Sequence, residues 1–187
     1  MKKILIIIFL IAAQSCASQT SNSLSVFHRL LIYNSDNEVL IVKFKDTDIW
    51  VTPGFYQDSL LFIKEGLHRS GSGYELMITD PELKGVFSMR KEYAERTAMS
   101  ICNIYRCNLI SSTLKVPVSL GDAQWIPVAE ALETVTYKSI NHFLKQTNDY
   151  PHVVWGGSVN IIRKGAKSEF EIMEKFYPLF EYRKDIE

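Results

Sequence analysis

The sequence is poor in the features that mark several special classes of protein. It has no excess of charge, since 21 Lys and Arg residues are balanced by 21 Asp and Glu residues, and this excludes a nucleic-acid-binding protein that works by bulk positive charge. Of its 3 cysteines, Cys102 and Cys107 share one predicted strand and face opposite sides of it, out of disulfide reach. No Cys/His cluster accompanies them, so we predict no metal site there. With 47% hydrophobic and 22% charged residues, the composition is that of a globular protein.

The amino terminus has the order of charges and apolar residues of a secretory signal peptide. Lys2 and Lys3 precede an apolar run at residues 4–13. As a helix this run would rise only about 15 Å, half of the hydrocarbon core of a bilayer. We therefore predict a cleaved signal peptide over residues 1–15 rather than a membrane-spanning helix, followed by a polar tether over residues 16–25.

The residues at the predicted cleavage point favour lipidation. Ala13-Gln14-Ser15-Cys16 resembles a bacterial lipobox, in which Cys16 becomes the lipidated first residue of the mature chain. The resemblance implies an exported lipoprotein, anchored in a membrane such as the outer membrane and facing the periplasm or the cell surface. Ordinary signal-peptide cleavage without lipidation is the alternative. Either cleavage removes two lysines and leaves a slightly acidic mature chain.

The rest of the chain, residues 26–187, has the pattern of one α+β domain. Two β-rich runs at 26–33 and 38–45 flank a polar turn and predict a hairpin. Leu60, Ile63 and Leu67 have helical spacing, which predicts a helix from residue 58 or 59 to the glycine-serine run at 70–73. Further strands are predicted over residues 83–90, 98–110 and 123–128, and a short helix over 129–134.

The carboxyl-terminal residues 135–187 are predicted to be a helical extension. One helix is predicted over residues 137–146, and the helical spacing of Phe170, Met173 and Phe176 predicts another over 167–180. A loop is predicted over residues 151–157. Its Trp155-Gly156-Gly157 permits a close approach of the backbone, either to the domain's own sheet or to a ligand.

Three segments within residues 26–134 resemble the Nudix superfamily and follow each other in the family's order. They are similar to the Trp-x-x-Pro-Gly-Gly turn, to the Nudix helix with its Gly-apolar end, and to the Trp-x-Pro-x-x-Glu-apolar-Leu segment. In this sequence they read Ile49-Trp50-Val51-Thr52-Pro53-Gly54-Phe55, residues 59–74 and Trp125-Ile126-Pro127-Val128-Ala129-Glu130-Ala131-Leu132. The resemblance implies a mixed β-sheet packed between helices, and hydrolysis of nucleoside diphosphates linked to another group.

The predicted helix lacks the carboxylates on which the family's chemistry depends. The Nudix box ends in Arg-Glu-apolar-x-Glu-Glu-x-Gly-apolar, whose glutamates hold divalent cations and position a water for attack at phosphorus. Alignment on Gly73 puts Ser70 and Gly71 at the Glu-Glu pair. Alignment on Gly71 puts His68 and Arg69 there instead. We therefore expect no metal and no cofactor, with Mg²⁺ needed only if a divergent hydrolase takes its carboxylates from elsewhere.

Few side chains remain as candidates for a site. Glu65 is the candidate catalytic carboxylate, and Glu75 or Glu82 could complement it; a solvated glutamate is the alternative. Aromatic residues beside the turn can stack on a ring, and arginines after a strand suit phosphate or carboxylate, although core packing or a solvated loop would also account for them. The candidate ligand-binding residues are Trp50, Phe55, Tyr56, Arg90 and Arg96.

Three functions are compatible with the sequence. We favour an exported pseudoenzyme, a Nudix-like domain without the Glu-Glu pair that binds a small molecule or a protein. The alternative is a divergent Nudix-type hydrolase of a diphosphate-containing or related substrate. A structural envelope component is the third. The expected partners are the membrane, bound through lipidated Cys16, and the small molecule or protein that the domain binds. We expect no nucleic-acid partner.

Overall fold

The computed structural model describes residues 24–57, 60–164 and 167–182, which form ten strands and three helices. The predicted signal peptide and Cys16 lie outside these residues. The strands are β1 Ser25–Tyr33, β2 Glu38–Phe44, β3 Trp50–Val51, β4 Gly54–Tyr56, β5 Leu76–Ile78, β6 Glu82–Glu92, β7 Thr97–Ser112, β8 Leu120–Pro127, β9 Val153–Lys164 and β10 Lys167–Glu181. The helices are α1 Ile63–Ser72, α2 Val128–Thr134 and α3 Lys138–Asp149.

The strands pair into one mixed sheet. Its main path has the order β10-β9-β6-β7-β1-β2-β3, and β4, β5 and β8 pair with β1, β7 and β2. The pairs β1–β7 and β6–β9 are parallel, and the other pairs are antiparallel. A mixed sheet with helices packed against it confirms the predicted α+β class.

Helices α1 and α3 cover opposite faces of this sheet. Successive side chains of a strand point to opposite faces. On one face, the ring of His28 in β1 stacks on Phe55 at 5.0 Å, and Phe55 lies directly over Gly66 of α1. On the other face, Phe87 of β6 stacks on Phe143 of α3 at 4.2 Å. No helix within the described ranges is long and apolar enough to cross a membrane.

Most elements predicted from the sequence are confirmed. The hairpin is β1 and β2, the three predicted strands are β6, β7 and β8, and the helices predicted at 129–134 and 137–146 are α2 and α3. Helix α1, however, begins at Ile63, so Leu60 precedes it and is 86% exposed. Of the predicted apolar stripe only Leu67 is buried, together with Gly66 and Gly71, while Ile63 is 45% exposed.

The helix predicted over residues 167–180 is wrong, because this segment is strand β10. Phe170 and Phe176 are six positions apart, with two register shifts between them that cancel, so both rings still face α3, 4.8 Å from His142 and 5.9 Å from Phe143. Met173 between them is exposed. Within its described residues, the predicted helical extension therefore consists mainly of strands β9 and β10, with α3 as its one helix. Pro178 is tolerated because β10 is an edge strand.

The loop predicted over residues 151–157 is wrong from residue 153 onward, because β9 starts at Val153 after a two-residue turn. Gly156 and Gly157 leave room for aromatic side chains of β10. A Cβ atom at Gly156 would come within 2.8 Å of Tyr177, and one at Gly157 within 2.6 Å of Phe176. The two glycines thus allow close packing within the domain's own sheet, which was one of the two predicted alternatives.

Candidate functional site

A cleft of about 740 Å³ lies between the sheet and the start of α3. This volume falls within the range of small-molecule pockets. The floor comes from β1, β6 and β7, and the walls from the turn before β4, the end of α1 and β10. Side chains that matter for its chemistry are Phe27, Arg29, Tyr56, Lys91, Tyr137 and Phe143.

The turn at Thr52-Pro53-Gly54 is held tightly against β1. The Leu30 amide donates to the Pro53 carbonyl at 2.9 Å, and Gly54 pairs with Arg29 as β4 begins. A Cβ atom at Gly54 would come within 2.6 Å of the His28 carbonyl oxygen, so a residue without a side chain is required there. The sequence signal Pro-Gly therefore has a packing reason, and it fixes the position of Phe55 and Tyr56 beside the cleft.

His28 is buried beneath this turn, so the stability of the fold should depend on whether its imidazole is protonated. Burial lowers the pKa of His28 from its ordinary value of 6.5, and a hydrogen bond with Gln57 opposes this shift. The folded protein therefore prefers neutral His28, and the unfolded chain takes up the proton first as the pH falls. Stability should be complete above about pH 6.5 and decline below it, toward the lowered pKa.

We expect the free energy of unfolding of His28→Gln to depend less on pH in this range than that of the wild type. Urea unfolding at pH 7.5 and at pH 5.5 measures the stability lost by each protein on acidification. The wild type should lose more than His28→Gln, because only the wild type has the buried imidazole to protonate. The same replacement at exposed His142 is the control. Equal losses in all three proteins would contradict the prediction.

The end of α1 decides whether the cleft can hold a divalent cation. The helix ends at Ser72 with Gly73 as its C-cap, which favours the alignment in which Ser70 and Gly71 stand at the family's Glu-Glu pair. Ser70 and Arg69 line the cleft, and buried Gly71 packs on Ile78. A hydroxyl beside a guanidinium does not suit Mg²⁺, which binds carboxylate oxygens. Across the described ranges, no three His, Cys, Asp or Glu side chains are grouped closely enough to hold a metal ion.

The acids considered as substitutes lie elsewhere or are already paired. Glu65 is exposed in the first turn of α1 and does not line the cleft. Glu75 pairs with Lys115 at 2.6 Å, and Glu82 pairs with Lys84 at 2.8 Å. These carboxylates therefore do not converge on the cleft to replace the missing pair.

The histidine and lysine of α1 form a surface cluster with one aspartate. Lys64 Nζ and His68 Nε2 lie 2.9 Å and 3.1 Å from the two carboxylate oxygens of Asp80. The hydrogen bond from Lys64, and then that from His68, lower the pKa of the exposed Asp80 carboxyl. This cluster does not line the cleft.

The structure brings two of the five candidate ligand-binding residues to the cleft. Phe55 and Tyr56 line it, Tyr56 with an exposed ring. Trp50 lies outside it, with its ring 5.9 Å from Lys43 Nζ. Arg90 donates to Asn160 at 3.2 Å and pairs with Glu92, and Arg96 lies over the ring of Tyr93; neither lines the cleft.

Cations that the sequence did not single out dominate the described lining of the cleft. The basic residues are Arg29, Arg69, Lys91, Lys138 and Arg163, against one acid, Glu169. Arg29 offered a signal, because it is a lone cation inside an apolar strand, where charged residues are rare. No feature of the sequence marks Lys91 as a residue of the cleft, because it lies in an ordinary segment of mixed basic and acidic residues.

Comparison with solved structures identifies the architecture. The chain is similar to the MutT protein of Bacillus halodurans, with a TM-score of 0.63 and 19% identity over 79% of this chain and 98% of that one. A Nudix hydrolase of Nitrosomonas europaea gives 0.62 and 15%, covering 74% and 80%. The Nudix domain of Shewanella oneidensis NrtR, in complex with ADP-ribose, gives 0.54 and 15%, covering 68% and 88%. These likenesses establish the Nudix fold.

By sequence, the chain matches no protein-family model and no curated protein.

Proposed function

We propose that this chain is an exported, lipid-anchored domain of Nudix fold that binds a ligand in its cleft without hydrolysing it. The observation that carries the proposal is the end of α1, where Ser70 and Gly71 stand in place of the paired glutamates and Arg69 adds a positive charge. A divalent cation at that position would meet repulsion from the guanidinium and find no glutamate at the end of α1 to bind it. The cleft itself remains large enough for a small molecule.

The amino-terminal segment supports the export and anchoring part of the proposal. Its two lysines, ten-residue apolar run and Cys16 are suited to secretion and lipidation. Nucleotide pools belong to the cytosol, so an exported domain would not serve in nucleotide housekeeping. A binding role in the envelope agrees with both the location and the degenerate helix.

A turnover assay tests the absence of hydrolysis. The mature protein is incubated with Mg²⁺ or Mn²⁺ and a panel that includes ADP-ribose, the ligand in the NrtR structure, together with dinucleotides and nucleoside triphosphates. We expect no metal-dependent product above background, measured by chromatography, while an active Nudix hydrolase in parallel cleaves the panel. Isothermal titration should likewise show no tight binding of either cation.

The variant Glu65→Gln separates the proposal from the divergent-hydrolase alternative. If the wild type has metal-dependent turnover that Glu65→Gln abolishes, the proposal is wrong and Glu65 is a catalytic carboxylate. Because Glu65 is exposed, this variant should fold like the wild type. The non-catalytic proposal predicts indistinguishable chromatograms for the two proteins.

A further inference from the structure

Large apolar side chains are exposed at the end of the sheet where the described chain begins. Strands β1 and β7 run parallel from this end, with Ser25 opposite Ser100, and β4 ends here beside the start of β1. The exposed apolar residues, which we call the apolar end, are Leu24, Tyr56, Leu60, Phe62, Ile63 and Met99. Two of them are more than four-fifths exposed, Leu60 at 86% and Phe62 at 83%. Such a group on a protein surface marks a site of contact with a partner or a membrane.

The residues that precede α1 are fixed to this end by hydrogen bonds. The Gln57 backbone amide donates to a carbonyl of β1 at 2.8 Å, and its side-chain amide donates to the carbonyl of Leu61. Helix α1 then runs to the opposite end of the sheet, where Gly71 packs on Ile78 of β5. Residues 60–62 therefore lie at the end where β1 starts.

Tyrosines and cations accompany the apolar side chains. Lys91 Nζ lies 5.7 Å from the centre of the Tyr56 ring, and Arg96 Cζ lies 4.9 Å from that of Tyr93 in the turn between β6 and β7. Tyrosine, lysine and arginine are the residues that membrane proteins place at the level of the lipid headgroups. Glu95 lies in the same turn, so the apolar residues rather than net charge would carry a contact with a bilayer.

The opposite end of the sheet also exposes apolar side chains, among them Met77 at 62% and Ile110 at 60%. Ile110 lies eleven positions after Met99 in β7, which corresponds to about 36 Å at about 3.3 Å for each residue. Cys16 stands eight residues before Leu24, and a fully extended chain of that length spans at most about 28 Å. A lipid on Cys16 therefore lets the apolar end reach the bilayer, but not the opposite end.

We propose that the apolar end is a membrane-contacting surface, whose side chains enter the bilayer in which Cys16 is anchored. The inference rests on the lipid anchor of the proposed function and adds an orientation, with the start of β1 toward the membrane. The partner is a lipid bilayer rather than a second protein, because the chain leads from this end to the predicted lipid. Since Tyr56 also lines the cleft, one rim of the cleft lies close to the headgroups.

Fluorescent labels on single introduced cysteines test this orientation. Phe62→Cys has the label at the apolar end, Met77→Cys has it at the opposite end, and Leu179→Cys has it on the outer strand β10. The two cysteines of the domain are buried, and intact mass confirms one label on each chain. Each processed protein is reconstituted into vesicles of phosphatidylethanolamine and phosphatidylglycerol, with and without a lipid that has a nitroxide quencher in its acyl chain.

We expect the nitroxide lipid to remove most of the emission of the label at residue 62 and to leave the emission at residues 77 and 179 unchanged. The quencher acts only on a label that enters the bilayer, and the two controls are equally apolar side chains elsewhere on the surface. Equal quenching at the three positions, or no quenching at residue 62, would overturn the inference.

Serine substitutions test whether the apolar side chains make the contact. In a protein labelled at Met99→Cys, the pair Leu60→Ser and Phe62→Ser should reduce the quenching, because each large apolar side chain that enters the bilayer contributes about tenfold or more to partitioning. Met77→Ser, at the opposite end, is the control and should keep the quenching of the parent. If the paired variant is quenched as strongly as this control, these side chains do not enter the bilayer.

The outcomes also separate this inference from the proposed function. A processed protein without the excess mass of a lipid has lost the anchor, yet quenching at residue 62 and not at residue 77 after addition of the same vesicles would support the membrane-contacting surface. A lipidated protein whose label at residue 62 is not quenched keeps the anchor and has no such surface.

Discussion

Replacing Phe143 with alanine is expected to lower the free energy of unfolding by about 3–5 kcal/mol. The side chain is 2% exposed and stacks on Phe87 of the sheet, with Phe176 of β10 at 5.9 Å. Truncation removes the contact that joins α3 to two strands and leaves a cavity that the surrounding rings cannot fill. Urea unfolding followed by circular dichroism measures the loss.

The same truncation at an exposed phenylalanine is the control. Phe62, immediately before α1, is 83% exposed, so Phe62→Ala should change the free energy of unfolding by no more than about 0.5 kcal/mol. Comparable losses in the two variants would mean that α3 is not fixed through Phe143. Phe143 also lines the cleft, so a large loss would mean that the shape of the cleft depends on the packing of the core.

The elements with a single clear periodicity could be predicted from the sequence, and those with two compatible periodicities could not. The hairpin β1–β2 and helix α3 have patterns that fit one structure each. In β10, the spacing of Phe170 and Phe176 fits a helix and a strand equally well. The choice depends on long-range pairing with β9, whose glycines accept the β10 rings, and no local pattern shows that pairing.

The absence of metal-binding glutamates from the candidate site could be predicted from the sequence, but most of the side chains that line the cleft could not. The missing glutamates of α1 are visible in the sequence, because the family pattern says where they belong. Among the cations that line the cleft, Arg29 is visible as a lone charge in an apolar strand, but Lys91 is not, because a strand's pattern does not say which face meets a cavity. Arg90 stands out in the sequence, yet it is Lys91, one residue later and on the other face, that lines the cleft. One residue of register thus decides which cation lines the cleft.

Replacing Cys16 with serine is expected to abolish membrane anchoring through lipid. Cys16 lies outside the described residues, and the prediction follows from Ala13-Gln14-Ser15-Cys16. Only a cysteine offers the thiol to which the lipid is attached, and each buried CH₂ of the lipid chains contributes about 0.8 kcal/mol to membrane binding. The wild type should partition into the detergent phase and have an intact mass greater than that of the polypeptide beginning at Cys16.

In Cys16→Ser this excess mass should be absent, and the protein should either partition into the aqueous phase or keep the uncleaved mass of the full chain. Ser18→Ala, two residues further into the predicted tether, is the control and should behave as the wild type. A wild-type protein that begins at another residue and has no excess mass would show ordinary signal-peptide cleavage instead. That result would remove the anchor from the proposed function and leave the cleft unaffected, because the described fold begins only at Leu24.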